Sequence, residues 1–407
     1  MDIGTVMNTM RDPAGIPAPV ELFRILMIAT WVFHIAFVVL ALGAASLAIY
    51  AFWRREQSPY WTGISIAMTK VAKVSVSLLI VLGVAPLLFT QVIYDPQWYA
   101  SNVLSARWAI AFIFTLIVAY CLWFAFYYGN KEVAKRHIGF YAVIALLLFL
   151  LDGLIMHVLS YQAILPGQWM GWYAPNGELD MSGAHLHAMQ WPRYLFIISL
   201  SAPAVGFYLI AYDDYLKRRR DQNPDYLAFA RRLGQRIAQY GLIVSLALFV
   251  WWQFDNPAST GLVWLPGGWA VAAALAVLLF EVTYFRDRLH GYLFLAGGMV
   301  MLLLLAIWRE VIRVAYLAPF GYSVVDEKVN ADWPSLALFF LTVAGIGGLV
   351  GGFYLTLLYR AGRVEGVYQA DRTMSAMGTG AIVILGIWTG VFFLYGIAIW
   401  ASNALTY

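Results

Sequence analysis

The sequence predicts an all-α, polytopic membrane protein of about ten transmembrane helices with both termini outside. Three observations predict it. Of 407 residues, 62% are hydrophobic and only 12% charged, a balance found in membrane proteins. Apolar runs of roughly 20 residues, enough to cross the hydrocarbon core as a helix, recur ten times. Seventeen of the 26 Lys and Arg residues lie in every second connection. These are Arg54 and Arg55; Lys131, Lys135 and Arg136; Lys217 to Arg220 with Arg231, Arg232 and Arg236; Arg286 and Arg288; and Arg360, Arg363 and Arg372. Densely cationic connections stay in the cytoplasm, which fixes the orientation. The net charge of +4 belongs to those connections and gives no ground for a nucleic-acid partner; membrane lipid is the expected neighbour.

In chain order, spans are expected near 22–52, 63–90, 106–128, 138–163, 192–213, 237–254, 262–285, 290–316, 335–359 and 378–401. Gly261, Pro266, Gly267 and Gly268 interrupt the start of the seventh. The first 20 residues are polar, hold Pro13, Pro17 and Pro19, and show no cleavable signal pattern. Outer connections are expected at 164–191 and at 317–334, the latter acidic around Asp326, Glu327 and Asp332. The basic connection 213–236 predicts a short amphipathic helix after Pro224, with Leu227, Ala230 and Leu233 on one side and a cationic face toward anionic lipid. The glycines of 345–352 imply close helix packing. No fixed-period repeat or soluble domain is evident, so residues 1–407 read as one membrane domain. The lone Cys121 excludes an internal disulfide, a thiolate cluster and covalently attached haem. Many of the aromatic residues, which include 17 Trp, cluster at the outer boundary, as an interfacial belt requires and as the lining of a flat apolar cofactor would also require.

Ionisable groups inside spans are costly, so each is a functional candidate. His34 stands about 18 Å into the first span by helical rise. It suits a haem axial ligand, a proton relay or a structural donor. His157 lies toward the outer end of the fourth span, and His185 and His187 precede the fifth on the same side. Two imidazoles from different helices would serve one haem iron; Met27, Met156, Met170, Met181 and Met189 offer a sulfur instead. The His185-x-His187 pair lacks the further ligands that zinc needs. His137 and His290 begin spans at the cytoplasmic surface and read as interfacial. Arg309, Glu310 and Arg313 end the eighth span, where they suit an internal ion pair, haem propionates or a quinone headgroup. Arg24 and Arg107 can join them. Lys70 and Lys73, some two turns inside the second span, read as snorkelling side chains or as the start of a proton-access route.

The first half of the chain resembles subunit I of the cytochrome bd quinol oxidases. ELFRILMIATWVFHIAFVVLALG is similar to that family's first transmembrane helix, in which an outer Arg precedes a haem-ligating His; Arg24 and His34 fall on those positions. TKVAKVSVSLLIVLGVAPLLFTQ, followed by YDPQWY, keeps the family's spacing of Lys70 and Gly83 and its Gln91 and Trp98. VAKRHIGFYA, at His137, resembles the start of the fourth helix, and the span end and outer loop at 155–190 follow. The resemblance runs over about residues 20–213; the helices over 236–407 are of uncertain relationship to it, although Glu310 and Arg313 resemble a Glu-x-x-Arg pair. The chain departs from the family in several ways. Its third span has no carboxylate, its fifth has no His, the long loop after the sixth is absent, and a tenth span is added.

The resemblance implies a membrane electron-transfer subunit of the bacterial inner membrane. It would bind one or two haem b groups in the outer half of the bilayer, with His34 as first ligand and His157, His185 or His187 as candidate second ligands. Arg24, Arg309, Glu310 and Arg313 would face the cofactor. Electrons would pass between a quinone and a periplasmic partner such as a c-type cytochrome, within a respiratory complex. The departures leave open a haem-free anchor subunit, and they argue against a complete oxygen reductase. A secondary transporter fits less well, because paired broken helices are missing.

Overall fold

Ten helices long and apolar enough to cross a membrane organise the chain in the computed structural model, which describes residues 2–405. They are α1 (Val20–Trp53), α2 (Pro59–Ile93), α3 (Ala106–Gly129), α4 (Ile138–Gln162), α5 (Trp191–Leu216), α6 (Pro224–Asp255), α7 (Pro266–Tyr284), α8 (Gly291–Leu317), α9 (Trp333–Ala361) and α10 (Arg372–Leu405). Each expected span coincides with one of them. Among the described residues there is no β-strand, only an isolated bridge between Ile16 and Val329.

Helix starts follow local chemistry. Ser58 caps α2 through the Tyr60 N–H, with Pro59 in the first turn, and Asn223 caps α6 ahead of Pro224. Pro suits that position because its missing N–H has no helical partner there. The amphipathic segment expected after Pro224 is not a separate helix; it runs unbroken into α6, a helix of 32 residues. Nothing between Pro224 and Asp255 stops it, since Gly234 and Gly241 are held by close packing. A Cβ added to Gly206 of α5 would sit 2.7 Å from the Gly234 carbonyl oxygen, so the α5 and α6 backbones meet at a distance only glycine allows. Helix α5 is interrupted at Leu200, three residues before Pro203, and the glycine run in α9 winds as π-helix over Thr342–Val350. Two short helices at the outer face, Ile3–Thr9 and Asp95–Leu104, lie in stretches the hydropathy pattern left as connections.

Helix α1 lies along α2 and also meets α5, α8 and α4. Its inward stripe is small, with Ala44, Ala45, Ala48 and Ala51 essentially inaccessible. In lipid, helices associate by close van der Waals packing, so small residues mark the contact. Helices α3 and α4 pair, as do α5 with α6, α6 with α7 and α7 with α8. The last two helices stand apart. Half of the apolar window of α5 is buried, against 6% for α9 and 0% for α10, so α9 and α10 form a hairpin that keeps almost all of its apolar surface outside the bundle. Tyr215 Oη of α5 donates to the Tyr359 carbonyl at 3.1 Å, tying the hairpin to the body. At the outer face, residues 2–19 lie against 318–332. Ile16 N–H donates to the Lys328 carbonyl at 2.8 Å, and Arg11 pairs with Glu327 and stacks on Tyr322.

Candidate functional site: a cationic crevice at the outer ends of five helices

Antiparallel succession brings the start of α1, the end of α2, the end of α4, the start of α5 and the end of α8 to the same outer side. Those five ends carry the ionisable groups singled out above, and several converge. Glu310, 5% exposed, is the hub. It accepts from Tyr94 Oη at 2.5 Å and from Arg313 Nη1, one turn on, at 2.9 Å, and Arg24 Nε lies 3.7 Å away. Arg313 also lies over the Tyr94 ring, 4.5 Å from its centroid, with Nη1 3.2 Å from Met27 Sδ. Burial, with Glu310 beside it, pushes the Tyr94 hydroxyl well above its ordinary range, so it remains a donor. Arg24, Glu310 and Arg313 therefore form one saturated cluster.

Arg309 is treated differently. Its guanidinium lies 3.9 Å from the centroid of Trp31, a cation–π contact, and it makes no hydrogen bond or ion pair among the described residues. Arg193, at the start of α5, donates only to Ser160 Oγ, at 3.1 Å, and has no carboxylate within ion-pair distance. Both guanidiniums act on one another electrostatically, deep in the bundle, yet both keep part of their surface accessible. That combination describes side chains at the helix ends that remain open to a ligand on one side. Four guanidinium groups thus gather near one carboxylate, Glu310, and two of them, Arg193 and Arg309, make no direct ion pair among the described residues.

His34 is positioned from below by α2. Its Nδ1 lies 2.9 Å from the Leu79 carbonyl, which can only accept, so Nδ1 carries the proton and Nε2 presents its lone pair. The ring fits because a Cβ on Gly83 would come within 2.8 Å of His34 Cε1. A carbonyl fixing the far nitrogen is how metal-ligating imidazoles are held. His157, 8% exposed, lies between Tyr161 and the edge of Tyr194, with ring centroids 6.5 and 5.5 Å away. Its Nε2 accepts the Gln190 N–H at 3.4 Å, a long contact. The charge of Arg309 acts on both His34 and His157.

The other two histidines serve the outer loop. His185 is two-thirds exposed and lies 3.8 Å from Asp180, while its carbonyl accepts from Ser105. His187 Nε2 is 3.2 Å from the Leu104 carbonyl, and its ring stacks on Trp172. These contacts dock residues 184–187 onto Leu104, Ser105 and Gln162, apart from the contacts that hold His34. Arg107 donates its backbone N–H to Gly183 in the same loop, rather than joining the arginine cluster. Sequence reasoning passed over Arg193, Tyr94 and Trp31. Arg193 follows Pro192 at a span start, where a basic residue reads as interfacial, and a run-by-run scan carries no signal for its neighbours. It also passed over Asp152 of α4, which is buried beside Thr115 Oγ1 with its second oxygen unpartnered. Among the described residues no group of three or more His, Cys, Asp or Glu could hold a bare metal ion.

No family model matches the chain, and no curated protein is similar to it by sequence. In solved structures it is similar to a chain of the bd oxidase from Geobacillus thermodenitrificans, at 12% identity and a TM-score of 0.56, over 92% of this chain and 98% of that one. The likeness extends well past residue 213, where sequence resemblance stops. This chain is a multi-pass membrane protein with a bd-oxidase-like fold.

Proposed function

We propose that the chain is the electron-transfer subunit of a respiratory complex in a bacterial inner membrane, and that its outer crevice holds a haem b. The observation that carries this reading is the pair Arg193 and Arg309, two guanidiniums inside the bundle with no carboxylate within ion-pair distance among the described residues. An unpaired charge there is strongly unfavourable, so the site calls for a ligand that brings anionic groups. The two propionates of a haem would supply them, and His34, whose Nε2 lone pair lies in the electrostatic reach of Arg309, would hold its iron. Bound haem contributes one-electron redox chemistry.

The chain's own residues do the rest. Leu79 and Gly83 orient His34; Arg193 and Arg309 would pair with the propionates; Trp31 stands beside Arg309, and Tyr161 and Tyr316 beside Arg193. Arg24 and Arg313 belong to the Glu310 cluster and fix the α1–α8 spacing. His157 is the candidate that would serve as a second ligand, its Nε2 held only by the long Gln190 contact. Quinone on one side and a periplasmic carrier such as a c-type cytochrome on the other are the exchange partners in this reading. Oxygen reduction is not proposed, because α3 carries no carboxylate.

A second reading, a haem-free anchor subunit of such a complex, is favoured by one observation: α5 offers no histidine. A reduced-minus-oxidised absorbance spectrum of the purified protein separates the two. We expect an α-band and extractable haem in the native protein, and loss of both in His34→Ala with the protein still monodisperse. Unchanged haem in that variant removes His34 from its role, and a native protein without haem leaves the anchor.

A further inference from the structure

The opposite, basic face of the bundle holds a separate feature, built around Lys70. Helix α2 has 35 residues, about 52 Å of helix against a hydrocarbon core of roughly 30 Å, so each end overhangs by about 11 Å. Lys70 stands 11 residues from Pro59, about 16 Å along the axis, just inside the hydrocarbon boundary. Its side chain is exposed, and an ammonium at that depth must reach back to the interface.

Two hollows flank it. One, of about 600 Å³, opens between α2, α5 and the start of α6 and is lined by Tyr60, Tyr208, Tyr212 and Tyr226 around an apolar floor of Ile66 and Ala67. The other, of about 440 Å³, lies between α2 and the α3–α4 connection and is lined by Thr69, Asn130, Lys131 and Glu132. Lys70 lines both. Lys73 and Lys131 lie 4.3 and 5.7 Å from the ring centroid of Tyr127, which also lines the second hollow. Lys70 and Lys131 thus share the second hollow with one carboxylate, Glu132, near the membrane interface, with Lys73 a turn deeper on the Tyr127 ring. Tyrosines with an apolar body and a polar tip belong at that level, and basic hollows between helices on this side suit anionic lipid headgroups.

We infer that these paired hollows form a binding site for an anionic phospholipid with two phosphates, a diphosphatidylglycerol, straddling Lys70. One phosphate sits in each hollow, Lys70 contacts both, and acyl chains run over Ile66 and Ala67 toward the bilayer centre. Charge complementarity selects the anionic head, and the shared lysine between two cavities selects a two-headed lipid over a one-headed one. Neither Lys70 nor Lys131 touches the outer crevice, so the site stands whether or not a haem is bound.

The test is native mass spectrometry of the full-length protein, delipidated in detergent and titrated with diphosphatidylglycerol, phosphatidylglycerol or phosphatidylethanolamine. The native chain should retain the two-phosphate lipid best. The Lys70→Gln/Lys131→Gln double variant should retain it at least tenfold less well. Ala67→Trp, which fills the first hollow and leaves both lysines, should also lose it. All variants are checked by thermal unfolding without lipid, where exposed lysines should leave the midpoint unmoved. Equal retention by the double variant overturns the site; equal retention of phosphatidylethanolamine overturns its charge selectivity; equal retention of phosphatidylglycerol overturns the two-headed assignment.

Discussion

The two ends of the bundle handle positive charge in opposite ways. At the outer end the cations are arginines turned inward, laid on Trp31 and Tyr94 and left partly without counter-charge. Around the paired hollows at the basic end they are lysines turned outward, Lys70 and Lys131 being exposed and set among tyrosines and loop residues, while an arginine of that end such as Arg231 has carboxylate partners in Asp213 and Asp214. Guanidinium is planar and weakly hydrated, so it tolerates an aromatic interior; ammonium is a compact, strongly hydrated charge that returns to water. The contrast teaches that an intramembrane cation points to function only when it stays inside. By that criterion Arg309 belongs to the proposed cofactor site, and Lys70 to the proposed lipid site.

Within the outer end, adjacent residues should respond with opposite signs, and that is the largest effect we expect. Glu310 balances Arg24, Arg313 and the Tyr94 hydroxyl. Glu310→Gln strips the counter-charge from buried cations and should destabilise the protein by about 3–5 kcal/mol, read as a fall in the unfolding midpoint in detergent. An unchanged midpoint would mean that the arginines already find other anions.

Arg309→Met sharpens the same comparison from the other side. It removes an unpaired cation and replaces it with an apolar chain that can lie on Trp31. The haem-free protein should gain about 1–4 kcal/mol while haem occupancy falls. A variant that loses stability together with haem would show that Arg309 is structural, and would withdraw the argument from missing counter-charge.

How much of this was legible beforehand follows from what a one-dimensional pattern encodes. Span number, order and sidedness came from hydropathy and Lys/Arg spacing, and all ten spans coincide with helices. Helix ends were less legible. The run after Pro224 reads as amphipathic and separate because its polar residues break the apolar count, yet backbone hydrogen bonding continues through them. His34, Arg309, Glu310 and Arg313 stood out as ionisable groups in apolar runs. Their sorting into a saturated cluster and an unsaturated one did not, because it depends on the rotation of α1, α2, α5 and α8 about their axes. Arg193 was hidden for the same reason: its position at a span start looks solvated until α4 is placed beside it. His185 and His187 were prominent as a pair, and they serve a loop whose course no periodicity specifies. The placement of α9 and α10 outside the bundle was equally hidden, since a helix apolar on all sides carries no mark of which neighbour it meets.

The smallest effect we expect lies in that loop. Burial against Trp172 and Leu104 pushes the His187 imidazole below its ordinary value of 6.5, with His185 adding to the shift and Asp180 opposing it. A docked group with a lowered value binds fewer protons than the same group in an undocked loop. Docking is therefore fully favourable above about pH 6.5 and weakens as the pH falls below it toward the lower, docked value. Limited proteolysis of the exposed stretch around Leu179 and Met181 should accelerate severalfold between pH 7.5 and pH 5. His187→Gln, which keeps a donor for the Leu104 carbonyl but does not titrate, should flatten that dependence. Haem content should stay constant across the same range if, as proposed, a haem is held by His34 and Arg309 in the bundle and the loop histidines are not among its ligands. A haem loss that tracks loop opening would instead place His187 among the ligands.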